Sequence, residues 1–236
     1  MDDPFPTTQW SELFALRAQG DEGARLALAH LYERYWPALY AYLRRRGRDP
    51  EWAEDILQGF FAQLLDRETV ATLDLSGKLR AFLLASLKNY IVDEFHRENA
   101  RKRRPEQPLL SLDVEVAEAA FRRMESKELT PEQVYEQRWA MATVESAARS
   151  LAEQERAKGQ ADAYALLAPH VVGGVAGLGY REIAERLEAS ESAIKVRVHR
   201  LRKRLGELVR AEVEMGAAPG ASVRGEVFEM VGTASP

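Results

Sequence analysis

Apolar residues recur every three or four positions through most of the chain, which is the spacing of one buried face of an amphipathic helix. The clearest example is a stripe made of Leu79, Phe82, Leu83, Leu87, Tyr90, Ile91 and Phe95. Runs that alternate strictly between apolar and polar residues, as in half-buried strands, are nearly absent. The pattern therefore predicts an all-α fold.

Three helix starts have recognisable capping residues. Asp49 precedes Pro50, an arrangement typical of an N-cap followed by the first helical residue. Thr130 and Gln133 have the spacing of a capping box, in which each side chain would bond a backbone N–H of the other. Ser190 is predicted to cap a third helix.

Breaks in the periodicity predict two small helical domains joined by a linker. Residues 105–129 contain Pro105 and Pro108 and only weak periodicity, which favours a linker with room for a short helix. Domains are thus expected at 1–104 and 130–215, followed by a tail at 216–236. The glycine-rich segment 173–179 follows no strand and lacks a GK[ST] ending, so it predicts a connector and not a phosphate-binding loop.

The segment from Tyr180 to Leu208 predicts two helices separated by a tight turn. Ile183, Ala184 and Leu187 mark the buried side of the first helix. The buried side of the second is marked by Ile194, Val198, Leu201, Leu205 and Leu208. This arrangement is typical of a helix-turn-helix whose second helix enters a DNA major groove. Glu188 falls where such turns usually carry a left-handed Gly, at a cost of about 1 kcal/mol.

Positive charge is concentrated in two short segments of a chain whose net charge is −4. The first basic segment, residues 78–104, has 8 Lys/Arg against 3 Asp/Glu, and the second, residues 192–210, has 7 against 1. This distribution favours contact with a polyanion at two defined places. The alternative is that each segment is simply a solvated helix face.

Composition excludes several other classes of protein. The chain has no Cys, so disulfides and thiolate metal sites are impossible. The four His residues show no metal-ligand spacing, and no catalytic constellation is evident, so neither an enzyme nor a cofactor is expected. No apolar run could span a membrane, and the acidic N-terminus does not resemble a signal peptide, which together predict a cytoplasmic protein.

Two stretches together resemble a known family. The segment YREIAERLEASESAIKVRVHRLRKRL resembles region 4 of bacterial sigma factors of the sigma-70 class. The segments DPEWAEDILQGFFAQLL and FLLASLKNYIVDEFHRENARKR resemble region 2, in the order expected for the family. The chain has no segment that resembles the intermediate domain of the class, and in this it is similar to the small extracytoplasmic-function (ECF) group. The resemblance implies a region 2-like helical bundle and a region 4-like helix-turn-helix.

The resemblance and the charge pattern together identify the residues expected to contact DNA. Those for the promoter −35 element are Lys195, Val196, Arg197, His199, Arg200 and Lys203. Of the residues on and beside the helix face that carries these contacts, Arg197, Arg202, Lys203 and Arg204 are better placed for phosphates. The residues expected to contact the −10 element are Lys78, Arg80, Lys88, Asn89, Arg97, Arg101 and Arg103. The loop 72–77 is expected to form the wall of a pocket for an extruded base.

The resemblance also implies the partners. Glu54, Asp55 and Gln58 are expected to dock on the coiled coil of the β′ subunit of core RNA polymerase, although first-turn acidity alone could explain the two carboxylates. Gly59 stands where the wider family commonly carries Glu. Tyr135 and Trp139 are expected in the core, beside the −35 contact helix.

The resulting hypothesis is a sigma factor that binds core polymerase, including its β flap, and promoter DNA, and has no catalytic activity. An anti-sigma factor or another regulator is a further candidate partner. The principal alternative is a helix-turn-helix regulator that binds operators as a dimer without core polymerase. A helical adaptor with no role on DNA would leave both basic segments unexplained.

Overall fold

The computed structural model describes residues 21–64, 78–98, 114–123, 128–173 and 177–216, apart from the side chains of 21–30, 97 and 98. The chain forms eight helices and no strand within these ranges, as predicted. The helices are α1 (Asp21–Arg45), α2 (Pro50–Leu64), α3 (Leu79–Glu98), α4 (Val114–Arg123), α5 (Pro131–Ala157), α6 (Ala161–Val172), α7 (Tyr180–Arg186) and α8 (Glu191–Met215).

The three predicted helix starts are confirmed. The Asp49 carboxylate accepts a hydrogen bond of 2.8 Å from the backbone N–H of Trp52 at the start of α2. At the start of α5, the Thr130 hydroxyl accepts from the Gln133 backbone N–H at 3.2 Å, and the Gln133 amide oxygen accepts from the Thr130 N–H at 2.8 Å. The Ser190 hydroxyl accepts from the Ala193 N–H at 3.2 Å. Each bond satisfies a backbone donor that the helix itself leaves unpaired.

The described residues divide into two compact units. The first extends to Ala142 and includes Met215 and Gly216, and the second runs from Thr143 to Glu214. The division lies inside α5, whereas the linker was expected to end at residue 129. The first turns of α5 bury Tyr135 and Trp139 in the first unit, so the two residues are core, as expected, but not in the unit that contains the −35 contact helix.

An aromatic cluster forms the core of the first unit where α1 packs on α2. The Tyr32 ring lies 5.3 Å from that of Trp36 in a stacked arrangement and 4.8 Å from that of Phe61 edge to face. Such pairs add about 0.5–1.5 kcal/mol beyond the burial of their area. This packing fixes the position of α2.

The apolar stripe of α3 is buried along most of its length. Leu79, Leu83, Leu87 and Ile91 are inaccessible or nearly so. Phe95 was expected in the same stripe but is 42% exposed. Its ring instead packs against the Arg48 guanidinium, 5.3 Å from the ring centroid, so the stripe ends one turn earlier than its spacing predicts.

Gly59 leaves room for the Tyr90 side chain where α2 packs on α3. A Cβ atom built on Gly59 would overlap with the hydroxyl of Tyr90. The Tyr90 ring in turn packs 5.9 Å from that of Phe60. The helix-weakening glycine is therefore explained by packing, because the space of its missing side chain is taken by Tyr90.

The predicted linker contains the expected short helix, α4, which is tied to α1 by an ionic network. The Glu118 carboxylate accepts hydrogen bonds from Tyr40 Oη at 2.8 Å and from Arg44 Nε and Nη2 at 2.8 and 2.9 Å. Arg122 Nε adds a fourth at 3.1 Å. The bonds from Arg44 and its neighbours lower the pKa of Glu118 to about 2.

The second unit is built around the inner face of α8. Its buried residues are Ile194, Val198, Leu201, Leu205, Val209 and Val213. Ile183 and Ala184 of α7, in the same unit, are also buried. Leu208 was expected on this face, but the helical repeat places Val209 there, and Leu208 is only half-buried.

Candidate nucleic-acid interface

Helices α7 and α8 form a helix-turn-helix closed by a left-handed residue. Glu188 has φ +49°, as its place in the turn predicted. The Ala189 N–H bonds the carbonyl of Ala184 at 2.9 Å, and the Glu188 N–H bonds that of Glu185 at 3.4 Å. These two bonds constitute a Schellman motif, which ends α7 and turns the chain into the cap of α8 at Ser190.

One face of α8 is exposed to solvent and carries most of the predicted −35 contacts. Since successive helical residues are about 100° apart, five of the predicted −35 contacts fall within about 140° of one another, opposite the buried stripe. These five are Lys195, Val196, His199, Arg200 and Lys203, and all are exposed. We call them the α8 outer face. The prediction that Lys195, Val196, His199 and Arg200 project away from the apolar side of the helix is confirmed, and Lys203, expected at the flank, lies on the same face.

Members of the α8 outer face differ in their partners. His199, Arg200 and Lys203 make no hydrogen bond or ion pair with any residue that the structure describes. Lys195 Nζ lies 2.6 Å from a carboxylate oxygen of Glu191, one turn earlier, and 5.8 Å from the centroid of the Tyr180 ring. The hydrogen bond between Lys195 and Glu191 raises the pKa of Lys195 and lowers that of Glu191. Val196 is 50% exposed and offers only an apolar contact.

Three other arginines of α8 point to oxygen atoms of the second unit. Arg197 bonds the Gln160 amide oxygen at 2.7 Å, Arg202 the His170 carbonyl at 2.9 Å, and Arg204 the Gln154 amide oxygen at 2.9 Å. They flank the α8 outer face on both sides. All three were expected to lie near phosphates, and in the chain alone all three have protein partners.

Two basic residues of α3, Arg80 and Lys88, are engaged with α5 within the first unit. Arg80 Nε bonds a carboxylate oxygen of Glu136 at 2.8 Å, and its guanidinium carbon lies 4.2 Å from the centroid of the Trp139 ring. Lys88 Nζ bonds a carboxylate oxygen of Glu132 at 2.7 Å. This bond raises the pKa of Lys88 and lowers that of Glu132.

The remaining residues predicted at the −10 element are placed only in part. Lys78 and Asn89 are exposed at the start and in the third turn of α3. Arg97 lies near the end of α3, where its side chain is not described. Arg101, Arg103 and the loop 72–77 lie outside the described residues.

A pocket of about 170 Å³ opens between α2 and α3 and has Asn89 in its wall. Its lining combines aromatic rings with short polar side chains, namely Phe60, Gln63, Leu64, Ser86, Asn89, Tyr90 and Asp93. Stacking surfaces beside hydrogen-bonding groups suit the recognition of a base. Gln63, Ser86 and Asp93 were not among the predicted contacts, because none of them carries a positive charge. Gln63 also lies in α2, outside the first basic segment.

The predicted polymerase contacts form a polar edge on α2. Gln58 Nε2 donates to a Glu54 carboxylate oxygen at 3.1 Å, and Asp55 beside them is exposed. Burial, and to a smaller extent the Glu54 charge, raise the pKa of Tyr32 in α1. The edge is negatively charged and therefore suits a basic partner.

Sequence reasoning missed the three carboxylates that bind the basic side chains of the first unit: Glu118, Glu132 and Glu136. For two of them a signal was available, because Glu132 and Glu136 stand four residues apart and hence on one face of α5. For Glu118 no local pattern indicated a partner on α1.

Within its described ranges, the chain has no cluster of side chains suited to hold a metal ion. None of the helices described there has the length and apolar character needed to cross a bilayer.

Comparison with known families gives two matches. Residues 31–101 match the sequence model of Sigma-70 region 2, and residues 175–205 match that of Sigma-70, region 4. The first covers part of α1 and all of α2 and α3, and the second covers α7 and the first half of α8. No curated protein and no solved structure matches the chain.

Proposed function

The chain belongs to the ECF group of sigma-70 class factors, and on this basis we propose that it binds core RNA polymerase and directs it to promoters through −10 and −35 contacts. Sigma factor families are DNA-binding regulators and not enzymes. The protein would accordingly act in the cytoplasm without a catalytic residue or cofactor of its own. An anti-sigma factor stays a candidate partner.

The observation that carries the proposal is the α8 outer face. It lies on the second helix of a helix-turn-helix, and three of its members, His199, Arg200 and Lys203, have no partner among the described residues. A planar guanidinium such as that of Arg200 can bond two acceptors of a guanine, and a good bidentate contact contributes about 1–3 kcal/mol of discrimination. Val196 would pack against a thymine methyl group. The face thus combines base recognition with positive charge.

The proposal for the −10 element rests on α3. Melting a promoter requires bases to leave the stack, at a cost of a few kcal/mol, which stacking and phosphate contacts can offset. The pocket at Asn89 supplies rings and polar groups beside the first basic segment. Lys78, Lys88 and Arg97 would contact the backbone of the separated strand, together with Arg101 and Arg103.

The proposal for core polymerase rests on the polar edge of α2. Glu54, Asp55 and Gln58 would bond basic residues of the β′ coiled coil, and the β flap would contact the second unit. The alternative, a dimeric operator-binding regulator, shares the helix-turn-helix but leaves the region 2 match without a role.

The decisive experiment is reconstitution of the full-length chain with purified core polymerase and promoter fragments selected from genomic DNA. We expect initiation from discrete start sites, each preceded by two conserved sequence elements, and no such products with core enzyme alone. The variant Glu54→Ala/Asp55→Ala tests the proposed polymerase contact, because it should lose initiation while keeping its fold. Dimeric binding to DNA that is unaffected by core polymerase would instead support the operator-binding alternative.

A further inference from the structure

Two basic side chains of α3 that the sequence predicted at the −10 element, Arg80 and Lys88, are engaged by α5, but they are engaged in different ways. The Arg80 side chain is only 13% exposed, and it is held by Glu136 and by the face of the Trp139 ring. The Lys88 side chain is 42% exposed, its ammonium has one carboxylate partner, Glu132, and it lies 5.7 Å from the centroid of the Tyr42 ring, farther than the 4.2 Å between Arg80 and Trp139. Arg80 is therefore fixed in place, whereas the Lys88 ammonium is open to exchange with solvent and solutes.

Arg80 and its surroundings fix the first turns of α5 against α3. Tyr135, which is fully buried, donates its hydroxyl to the Arg80 carbonyl at 2.9 Å. Trp139, which is nearly inaccessible, lies one turn further along the same face. The capping box of Thr130 and Gln133 then determines where the helix begins. Together these contacts place Glu132, in the first turn, beside Lys88.

Glu132 can release Lys88 without being left unpaired. Its carboxylate side chain is 49% exposed, so water reaches it. It also lies at a helix N-terminus, where the unpaired backbone N–H groups and the helix dipole favour negative charge. Its own backbone N–H contributes to lowering the pKa of Glu132. A partner that offers phosphate could therefore take Lys88 from Glu132 at little cost.

We propose that Glu132 is an internal competitor of DNA phosphate for Lys88, so that the chain on its own keeps part of its −10 surface covered. The inference rests on the proposed assignment of α3 to DNA binding. In this scheme Arg80 is a positioning residue that holds α5, and through it Glu132, against α3. DNA binding exchanges one oxyanion partner of Lys88 for another, and Arg80 keeps its contacts.

The test measures binding of the full-length chain to a fluorescently labelled single-stranded oligodeoxynucleotide at low ionic strength. Glu132→Gln removes the competing charge and keeps the shape of the side chain. We expect it to tighten binding about two- to fivefold, as for loss of an exposed ion pair. Because Lys88 meets phosphate in the bound state of both forms, the slope of log affinity against log salt should be nearly the same for the two, whereas Lys88→Ala should make it shallower by about 0.7. Glu153→Gln, an exposed change of equal charge in the same helix, is the matched control and should have little effect.

A double-mutant cycle separates direct competition from general repulsion by a nearby negative charge. If Glu132 acts through Lys88, then Glu132→Gln should have no effect in a Lys88→Ala background. An equal gain in both backgrounds would overturn the inference while leaving DNA binding by α3 in place. If Lys88→Ala itself does not weaken binding, even when combined with Glu132→Gln, then α3 does not use this lysine on DNA, and both the inference and that part of the proposed function fail. Thermal unfolding of each variant verifies that the fold is retained.

Discussion

The arginines of α8 show that the role of a basic side chain depends on its angular position on the helix. Arg200 and Arg204 are four residues apart in sequence order and have the same chemistry. Arg204 nevertheless bonds Gln154 at 2.9 Å, while Arg200 has no partner in the part of the chain that the structure describes. Composition alone cannot separate them, whereas the helical repeat places Arg200 on the α8 outer face and Arg204 at its flank.

The first prediction compares these two arginines. Arg200→Ala should reduce the preference for the native −35 sequence over a scrambled one by about 1–3 kcal/mol, because a base contact is lost. Arg204→Ala removes the same charge and should leave the preference nearly unchanged. The measurement is competition binding of the reconstituted polymerase to promoter fragments with altered −35 or −10 elements. An equal loss of preference at both elements would show that Arg200 is wrongly assigned.

At the scale of elements, the turn between α7 and α8 carries a conformational cost at a non-glycine residue. Glu188 adopts φ +49° because the Schellman motif requires a left-handed residue at this place. A side chain with a Cβ atom pays about 1–2 kcal/mol there, and a glycine would not. The turn is formed nonetheless because the buried faces of α7 and α8 hold the two helices in place.

The second prediction follows from this turn. Glu188→Gly should raise the free energy of unfolding by about 0.5–1 kcal/mol, since relief of the left-handed strain exceeds the entropic cost of glycine. Glu185→Gly makes the same chemical change inside α7, where the conformation is ordinary, and should lower stability by about 1 kcal/mol. Urea unfolding followed by circular dichroism measures both. Equal destabilisation by the two changes would contradict the role given to the turn.

The third prediction concerns the attachment of α4 to α1. The pKa of Glu118 is lowered in the folded chain to about 2 from a usual value of 4.5. Its contribution to stability is therefore present above about pH 4.5 and is lost as the pH falls through about 2. Glu118→Gln should cost about 2 kcal/mol at pH 7, and the difference from the unaltered chain should shrink as the pH is lowered through that window.

Chemical unfolding at a series of pH values measures this difference. Glu115→Gln, an exposed change in the same helix, should give a small difference that is almost independent of pH. A constant deficit of Glu118→Gln down to pH 2 would mean that its carboxylate is not the group that ties α4 to α1.

At the scale of the whole molecule, the sequence predicted what is encoded locally. Helix starts were found because a cap and its partner stand three residues apart, and the helix-turn-helix was found because its two apolar stripes repeat at the helical period. The ionic contacts were not found, because Lys88 and Glu132 are 44 residues apart and Arg44 and Glu118 are 74 residues apart. Such pairs leave no periodic signal in a single chain.

The same limit explains the first basic segment. Its excess of Lys and Arg indicated a binding surface, and the structure places carboxylates of α5 against two of those cations. The net charge of a segment counts only its own residues, while the electrostatic potential at Arg80 and Lys88 also depends on Glu132 and Glu136 from another helix. The candidate surface is therefore less positive than the count of its residues indicates.

The fit of Tyr90 into the space above Gly59 has a consequence for exchanging parts between relatives. A hybrid that received α2 from a factor with Glu at position 59 would insert a long side chain where the phenol ring now lies. Such a graft would disrupt the α2–α3 packing unless it also replaced Tyr90 by a smaller residue. Positions 59 and 90 should accordingly be inherited, and engineered, as a pair.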